Sequence, residues 1–286
     1  MTEPSLTIEP MTPAIGAEVF GVDFGRPLTS ATADAIYQAL IDHLVIFFHD
    51  QSLTPEAHLA FARSFGELDT PHHVYPHVVG FEQIVRLENH PDRPPDTHVW
   101  HTDLTFKKKP PFASILWAKE VPPVGGDTLW ASMYAAYEAL PAAMKTMLDG
   151  LSAVHDMGSF RNDYLAGGVT ALNEAMRTVG SAVHPIVPRH PVTGRPFLYV
   201  NKGFTVQIAG QSTPDSDRLL AYLFDHIDQP EFQIRFRWRA GTVAMWDNRV
   251  TQHYAVADYQ QQARCMHRVT VVNDRRAATA AATDVA

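Results

Sequence analysis

Strand-like runs outnumber helical ones along this chain, and its helical patterns sit early or in insertions. Residues 5–22 alternate and carry glycines (Leu6, Ile8, then Gly16 to Val22), which predicts two short strands. Between 30 and 43, Ala31, Ile36, Leu40 and Ile41 recur at helical spacing behind a capping Ser or Thr. Residues 44–48 read as a buried strand, and Thr54-Pro55-Glu56 opens a helix that runs to Phe65, with proline at its first position. A long irregular connection over 66–98, rich in proline and histidine, holds one strand at 84–87 and reads as functional.

Residues 100–106 read as a strand because of their Thr and aromatic content. Further strands are expected at 113–118, after the Gly125-Gly126 turn, near 183–188, near 197–201, and at 232–239, 242–247 and 264–273. Helices are expected over 132–149 and 215–227, with a polar, part-helical insertion over 157–180. Helices do not alternate regularly with strands, and no Gly-rich phosphate loop joins a strand to a helix, so a doubly wound nucleotide-binding sheet is excluded. The pattern predicts a mainly β, α+β fold: a β-sandwich or jelly-roll core decorated by helices. One domain over 1–274 is expected, followed by a frayed Ala/Thr-rich tail over 275–286.

Composition narrows the class of protein. With 286 residues, 45% of them hydrophobic and 19% charged, the chain is long enough for a substantial core. A formal charge of −8, with no basic block longer than Lys107-Lys108-Lys109, argues against a nucleic-acid surface. The acidic N-terminus lacks the features of a secretory signal, and no apolar run approaches the length of a membrane span. The single cysteine, Cys265, forbids an internal disulfide and suits a reducing compartment. A cytoplasmic location without membrane association is expected.

The candidate chemistry begins at His101 and Asp103, which a strand would aim at one point, because residues two apart share a face. His-x-Asp also occurs at His90/Asp92, in a proline-rich loop, and at His226/Asp228, where a helix ends and residues two apart do not face each other. A third ligand is available at His253, which follows a predicted strand. Two histidines and one carboxylate form the facial set that leaves positions open on Fe(II), and they equally suit zinc. The competing reading of His253 is a turn cap beside Asp247 and Asn248.

Strand periodicity over 264–272 places Arg264, Met266, Arg268 and Thr270 on one face and Cys265, His267, Val269 and Val271 on the other. Two arginines on an otherwise apolar strand are costly to bury unpaired, so they imply either two ligand anions or pairing with internal carboxylates.

Taken in order, Ile15-Gly16-Ala17-Glu18, Trp100-His101-Thr102-Asp103-Leu104-Thr105-Phe106, Gly125-Gly126-Asp127-Thr128-Leu129-Trp130, Val200-Asn201-Lys202-Gly203-Phe204, Trp246-Asp247-Asn248-Arg249-Val250-Thr251-Gln252-His253-Tyr254 and Met266-His267-Arg268 carry a family resemblance. Over nearly its whole length the chain resembles the Fe(II)/2-oxoglutarate-dependent dioxygenases of the taurine dioxygenase (TauD/TfdA) family. The resemblance implies a double-stranded β-helix core, Fe(II) held by His101, Asp103 and His253, and O2 and 2-oxoglutarate as co-substrates. It assigns Arg264 and Thr128 to the distal carboxylate of 2-oxoglutarate. In members acting on sulfonates, the position of Arg268 binds the sulfonate, helped by that of His72. Ser159, Phe160 and Phe204 match residues lining the substrate pocket, and Tyr75 matches one near the taurine amine. Thr97 stands where taurine-specific members have asparagine, which separates this chain from them. A homo-oligomer, dimer or tetramer, is expected.

A charge count points the same way. Fe(II) with one Asp carries +1, 2-oxoglutarate brings −2 and Arg264 restores neutrality, so Arg268 remains as a cation for a small anionic organic substrate. The expected reaction hydroxylates taurine or a related alkanesulfonate, releasing sulfite and an aldehyde. Alkyl sulfates and phenoxyalkanoates are the nearest alternatives for the same chemistry. A zinc-dependent hydrolase and a non-catalytic metal-binding β-barrel are more distant ones.

Overall fold

The structure, a computed structural model, describes residues 6–72, 74–90, 98–158, 160–166, 168–178, 180–259 and 262–277. Its strands are β1 (Thr7–Pro10), β2 (Ala17–Phe20), β3 (Val45–Phe48), β4 (Gly66–Leu68), β5 (His77–Val78), β6 (Phe81–Asn89), β7 (Ala113–Glu120) and β8 (Thr128–Ser132). They continue with β9 (Ser152–Asp156), β10 (Ser181–Pro185), β11 (Thr205–Ile208), β12 (Gln233–Phe236), β13 (Val243–Asp247), β14 (Thr251–Ala255) and β15 (Arg264–Asp274). The helices are α1 (Ser30–His43), α2 (Pro55–Arg63), α3 (Met133–Glu138), α4 (Ala142–Leu148), α5 (Phe160–Ala166), α6 (Val169–Thr178) and α7 (Thr213–Ile227).

The large sheet runs β1-β2-β3-β13-β7-β15-β6-β5, with β4 pairing to β15 as well. Only the β2–β3 pairing among these is parallel. Its central strands are apolar on both faces because both faces are covered. Phe47, Leu116, Trp246 and Met266 face the smaller sheet β12-β8-β14 and pack with Trp130, Ile234 and Phe236. Across this interior Phe47 stacks on Phe236 at 3.8 Å between ring centroids, and Trp130 meets Trp246 edge-on at 5.7 Å. Ile46, Phe48, Ile115, Met245 and Val269 face the other way, onto Ile36 and Leu40 of α1 and Phe61 of α2. Burying each such side chain stabilises the fold by roughly 1.5–3 kcal/mol. A third sheet, β10-β9-β11, flanks the site described below.

Local signals account for the two early helices. Thr29 caps α1 by accepting from Thr32 N–H, and Thr54 caps α2, with Pro55 in the first turn.

The structure corrects several sequence-based expectations. Residues 100–106 are not a strand: His101 forms an isolated bridge to His253, and Asp103 to Phe106 make a turn. Of the connection expected over 66–98, the described part up to residue 90 is more regular than expected, since β6 spans nine residues and zips along β15, its non-local pairing being invisible in local pattern; residues 73 and 91–97 lie outside the described residues. No strand forms at 197–201; just before it, Pro196 makes an isolated bridge with Arg189, the neighbouring strand is β11, and β9 also went unpredicted. Arg275 and Arg276, expected in a frayed tail, are placed against the body, with Arg276 donating to Asp34 and to the Ser64 carbonyl. Residues 278–286 lie outside the described residues.

Candidate active site

Three potential ligand side chains converge at one end of the sandwich. His253 lies on β14, in register with Trp130 of β8. His101 is tied to it by reciprocal backbone bonds, His101 N–H to His253 O at 3.1 Å and His253 N–H to His101 O at 2.8 Å. This bridge extends the smaller sheet by one residue and sets the imidazoles side by side, with centroids 4.1 Å apart and ring planes tilted by 50°. Gly203 makes room for the arrangement, because a Cβ there would lie 2.9 Å from the Cβ of His101.

Asp103 arrives from the turn after the bridge, not along a strand. Its Oδ1 lies 3.8 Å from Nε2 of both His101 and His253, and the three ligand atoms fall within 4.8 Å of one another. Leu104, the next residue, has φ 56°, a left-handed conformation costly for a branched residue. The turn is held by side chains: Asn248 accepts from Asp103 N–H and donates to Asp103 O and Pro111 O, while Thr102 donates to Thr251 O. Ser114 on β7 donates to Asp103 Oδ2 at 2.9 Å. Ser114 and Asn248 carried no functional role of their own in the sequence reading, Asn248 having been read as part of a turn and of the stretch that ends at His253 and Tyr254. Asp247 turns instead to Arg249 and His190, so the reading of His253 as a cap beside these residues is not what forms.

Electrostatics favour the ligand forms. His101 Nδ1 donates to Val99 O at 2.7 Å, which leaves Nε2 with its lone pair free. Burial lowers the pKa of His101, and burial with the neighbouring His101 pulls His253 down to about 3. Burial pushes the Asp103 pKa up, but the Arg268 guanidinium and the two imidazoles outweigh this and hold its carboxyl well below the usual range. Two neutral imidazoles and one carboxylate at this separation fit a divalent cation.

The triad forms part of the wall of a cavity of ≈ 290 Å³. Arg264, Arg268 and Thr128 line it too, so the face assignment of β15 holds. The arginines differ in their partners. Arg268 Nη1 reaches both Asp103 oxygens, at 3.2 and 3.3 Å, the internal pairing that the sequence reading had left open. Arg264 has no carboxylate partner among the described residues; its cation lies 5.9 Å from the Tyr259 ring centre, and burial lowers its pKa. Nε of each arginine is buried without a hydrogen-bond partner. Thr128 Oγ1 accepts from Trp238 Nε1 at 2.9 Å, which leaves its own proton to donate.

Tyr75, Phe160 and Phe204 also line the cavity. His72 does not itself line it; the ring packs on Tyr75 and Phe160, at 4.9 and 5.5 Å. Its Nδ1 accepts backbone N–H groups from Val74 and Tyr75, and burial lowers its pKa to about 3. Thr97 and Ser159 lie outside the described residues. Glu88 is a further lining residue, paired with Arg86 at 3.2 Å.

The family described as "Taurine catabolism dioxygenase TauD, TfdA family" matches residues 7–270. The chain belongs to that family. It is 38% identical over 275 residues to an alpha-ketoglutarate-dependent sulfate ester dioxygenase of Pseudomonas putida, covering 94% of this chain and 90% of that one. It is 35% identical to an alkylsulfatase of Acinetobacter baylyi, over 94% of this chain and 86% of that protein. The crystal structure of a taurine dioxygenase from Burkholderia xenovorans superposes with a TM-score of 0.82 at 38% identity, covering 95% and 90% of the two chains. Membership and these relatives make the protein an enzyme, an alpha-ketoglutarate-dependent dioxygenase of the TauD, TfdA family with that family's jelly-roll core. Among the described residues, no helix is long and apolar enough to cross a membrane.

Proposed function

We propose that this family member is an Fe(II)-dependent oxygenase of anionic alkyl sulfates, cleaving the sulfate ester by oxidising the carbon that bears it. The observation that carries the reading is a buried cation without a counter-ion, Arg264, in the same cavity as a two-His, one-Asp cluster and a second guanidinium. His101, Asp103 and His253 would hold the iron, and Arg264 with the Thr128 hydroxyl would hold the distal carboxylate of 2-oxoglutarate. When bound, Fe(II) and 2-oxoglutarate supply an O2-dependent oxidation that leaves succinate, CO2 and a hydroxylated substrate carbon.

The protein's share is binding, orientation and exclusion of water. With the two arginines, Asp103, Fe(II) and a dianionic keto acid counted together, the cavity keeps one positive charge, which a monoanionic sulfate neutralises. Arg268 has N–H groups beyond those of the Nη1 that meets Asp103, and these can donate to the sulfate. Tyr75, Leu104, Phe160 and Phe204 offer an apolar wall to an alkyl chain. A hydroxyl on the ester carbon loses its proton as a C=O bond forms; the C–O bond to sulfur breaks, and its electron pair leaves with sulfate.

Taurine suits this wall less well. Its ammonium needs an acceptor, and the carboxylates lining the cavity among the described residues, Asp103 and Glu88, are already paired with arginines. The similarity to the sulfate ester dioxygenase and the alkylsulfatase supports the same choice. The test measures succinate together with sulfate or sulfite for hexyl sulfate, hexanesulfonate, taurine and a phenoxyacetate. Turnover highest with hexyl sulfate, with sulfate released, is expected; preference for taurine would replace this assignment within the same reaction class.

A further inference from the structure

We propose that Ser114 and Asn248 are positioning residues that present a single oxygen of Asp103 to the metal. The inference rests on the iron reading above and concerns how the carboxylate is aimed. A carboxylate delivered from a strand would be aimed by the ladder, but Asp103 sits in a turn entered from an isolated bridge and followed by a left-handed Leu104. Backbone pairing therefore does not fix its direction.

Two buried side chains take over that task. Asn248 is fully buried and satisfies both polar groups of the Asp103 backbone, accepting from N–H at 3.0 Å and donating to C=O at 3.0 Å. Its second amide hydrogen reaches Pro111 O at 3.2 Å, pinning the far end of the same loop. Ser114, also fully buried, is the second residue of β7, and its backbone is set by pairing on both sides, with Trp246 and with Thr270. Its hydroxyl donates to Oδ2 at 2.9 Å. Oδ1 is the oxygen 3.8 Å from both imidazole Nε2 atoms, and Ser114 occupies the other one. Arg268 touches both oxygens, so it neutralises the carboxylate without choosing between them. The rotation of the carboxylate is thus chosen by Ser114, and its position by Asn248.

The experiment titrates metal-free protein with Co(II), which binds oxygen and nitrogen ligands and has a visible spectrum sensitive to coordination. Wild type is compared with Ser114→Ala, Asn248→Asp and Asp103→Ala, each verified as folded by circular dichroism at the titration temperature. Ser114→Ala removes only the donor and should weaken Co(II) binding by tenfold or more, in the range found when outer-shell partners of metal ligands are removed. It should also change the Co(II) absorption bands, because Oδ2 becomes free to coordinate. Asn248→Asp loses the two amide donors and should weaken binding at least as much. If Asp103→Ala weakens binding while Ser114→Ala retains wild-type affinity within tenfold and an unchanged spectrum, the positioning role is overturned and the iron site stands. If Asp103→Ala binds as wild type does, the iron reading itself fails.

Discussion

Replacing Arg264 by methionine separates two effects that act in opposite directions. In the protein without ligands, Arg264 is 7% exposed, its Nε has no hydrogen-bond partner, and burial lowers its pKa. Exchanging a poorly compensated buried ionic group for a side chain of similar volume is neutral or stabilises by about 1–4 kcal/mol. At about 2 °C per kcal/mol for a chain of this size, the thermal midpoint should rise by roughly 2–8 °C. With 2-oxoglutarate the sign reverses. A bidentate pairing contributes two hydrogen bonds to charged groups at about 1.5–3 kcal/mol each, or about 3–6 kcal/mol together. Binding should therefore weaken by roughly 10²–10⁴-fold. The assay combines calorimetric titration of 2-oxoglutarate under anaerobic conditions with thermal unfolding in its presence and absence. The variant should be more stable than wild type without 2-oxoglutarate and should gain no stability from it. A loss of affinity under tenfold, or a lower midpoint without ligand, refutes the reasoning.

Alanine at His101, Asp103 or His253 should reduce turnover to background, read as succinate formed; full activity in any one of them removes that residue from the metal site. Arg268→Ala should raise KM for the sulfate by tenfold or more and change 2-oxoglutarate affinity far less, as separate titrations of the two co-substrates would show. A pH dependence of stability follows from the buried histidines His58 and His155, whose pKa values burial lowers to about 3. Both are neutral in the fold, whereas in the unfolded chain they take up protons below pH ~6.5, so their contribution is present above that pH and is lost as the pH falls toward 3. At about pH 5 each should cost about 2 kcal/mol, so the denaturant midpoint should drop between about pH 6.5 and 5; a constant midpoint over that window would show that these groups titrate normally.

The periodic parts of this fold were legible in the sequence, and the parts built by long-range pairing were not. Helices α1 and α2 announced themselves through Thr29, Thr54 and Pro55, and the alternation in β15 correctly put Arg264 and Arg268 on one face. The length of β6 escaped because Phe81–Asn89 is mixed in polarity and owes its regularity to β15, far along the chain. His101 and Asp103 were chosen for a strand geometry that does not form, yet the two side chains do converge with His253, through a bridge and a strained turn. What makes that turn work, Ser114 and Asn248, carries no periodicity and no rare residue type. Only the folded contacts reveal it.

The most direct test of the central claim is the stoichiometry of products from purified protein supplied with Fe(II), 2-oxoglutarate, O2 and hexyl sulfate. The account predicts succinate, inorganic sulfate and hexanal in equal amounts, all lost when iron, 2-oxoglutarate or O2 is withheld. Sulfate release that continues without 2-oxoglutarate or O2 would contradict it and assign a hydrolytic reaction to the His101, Asp103 and His253 cluster.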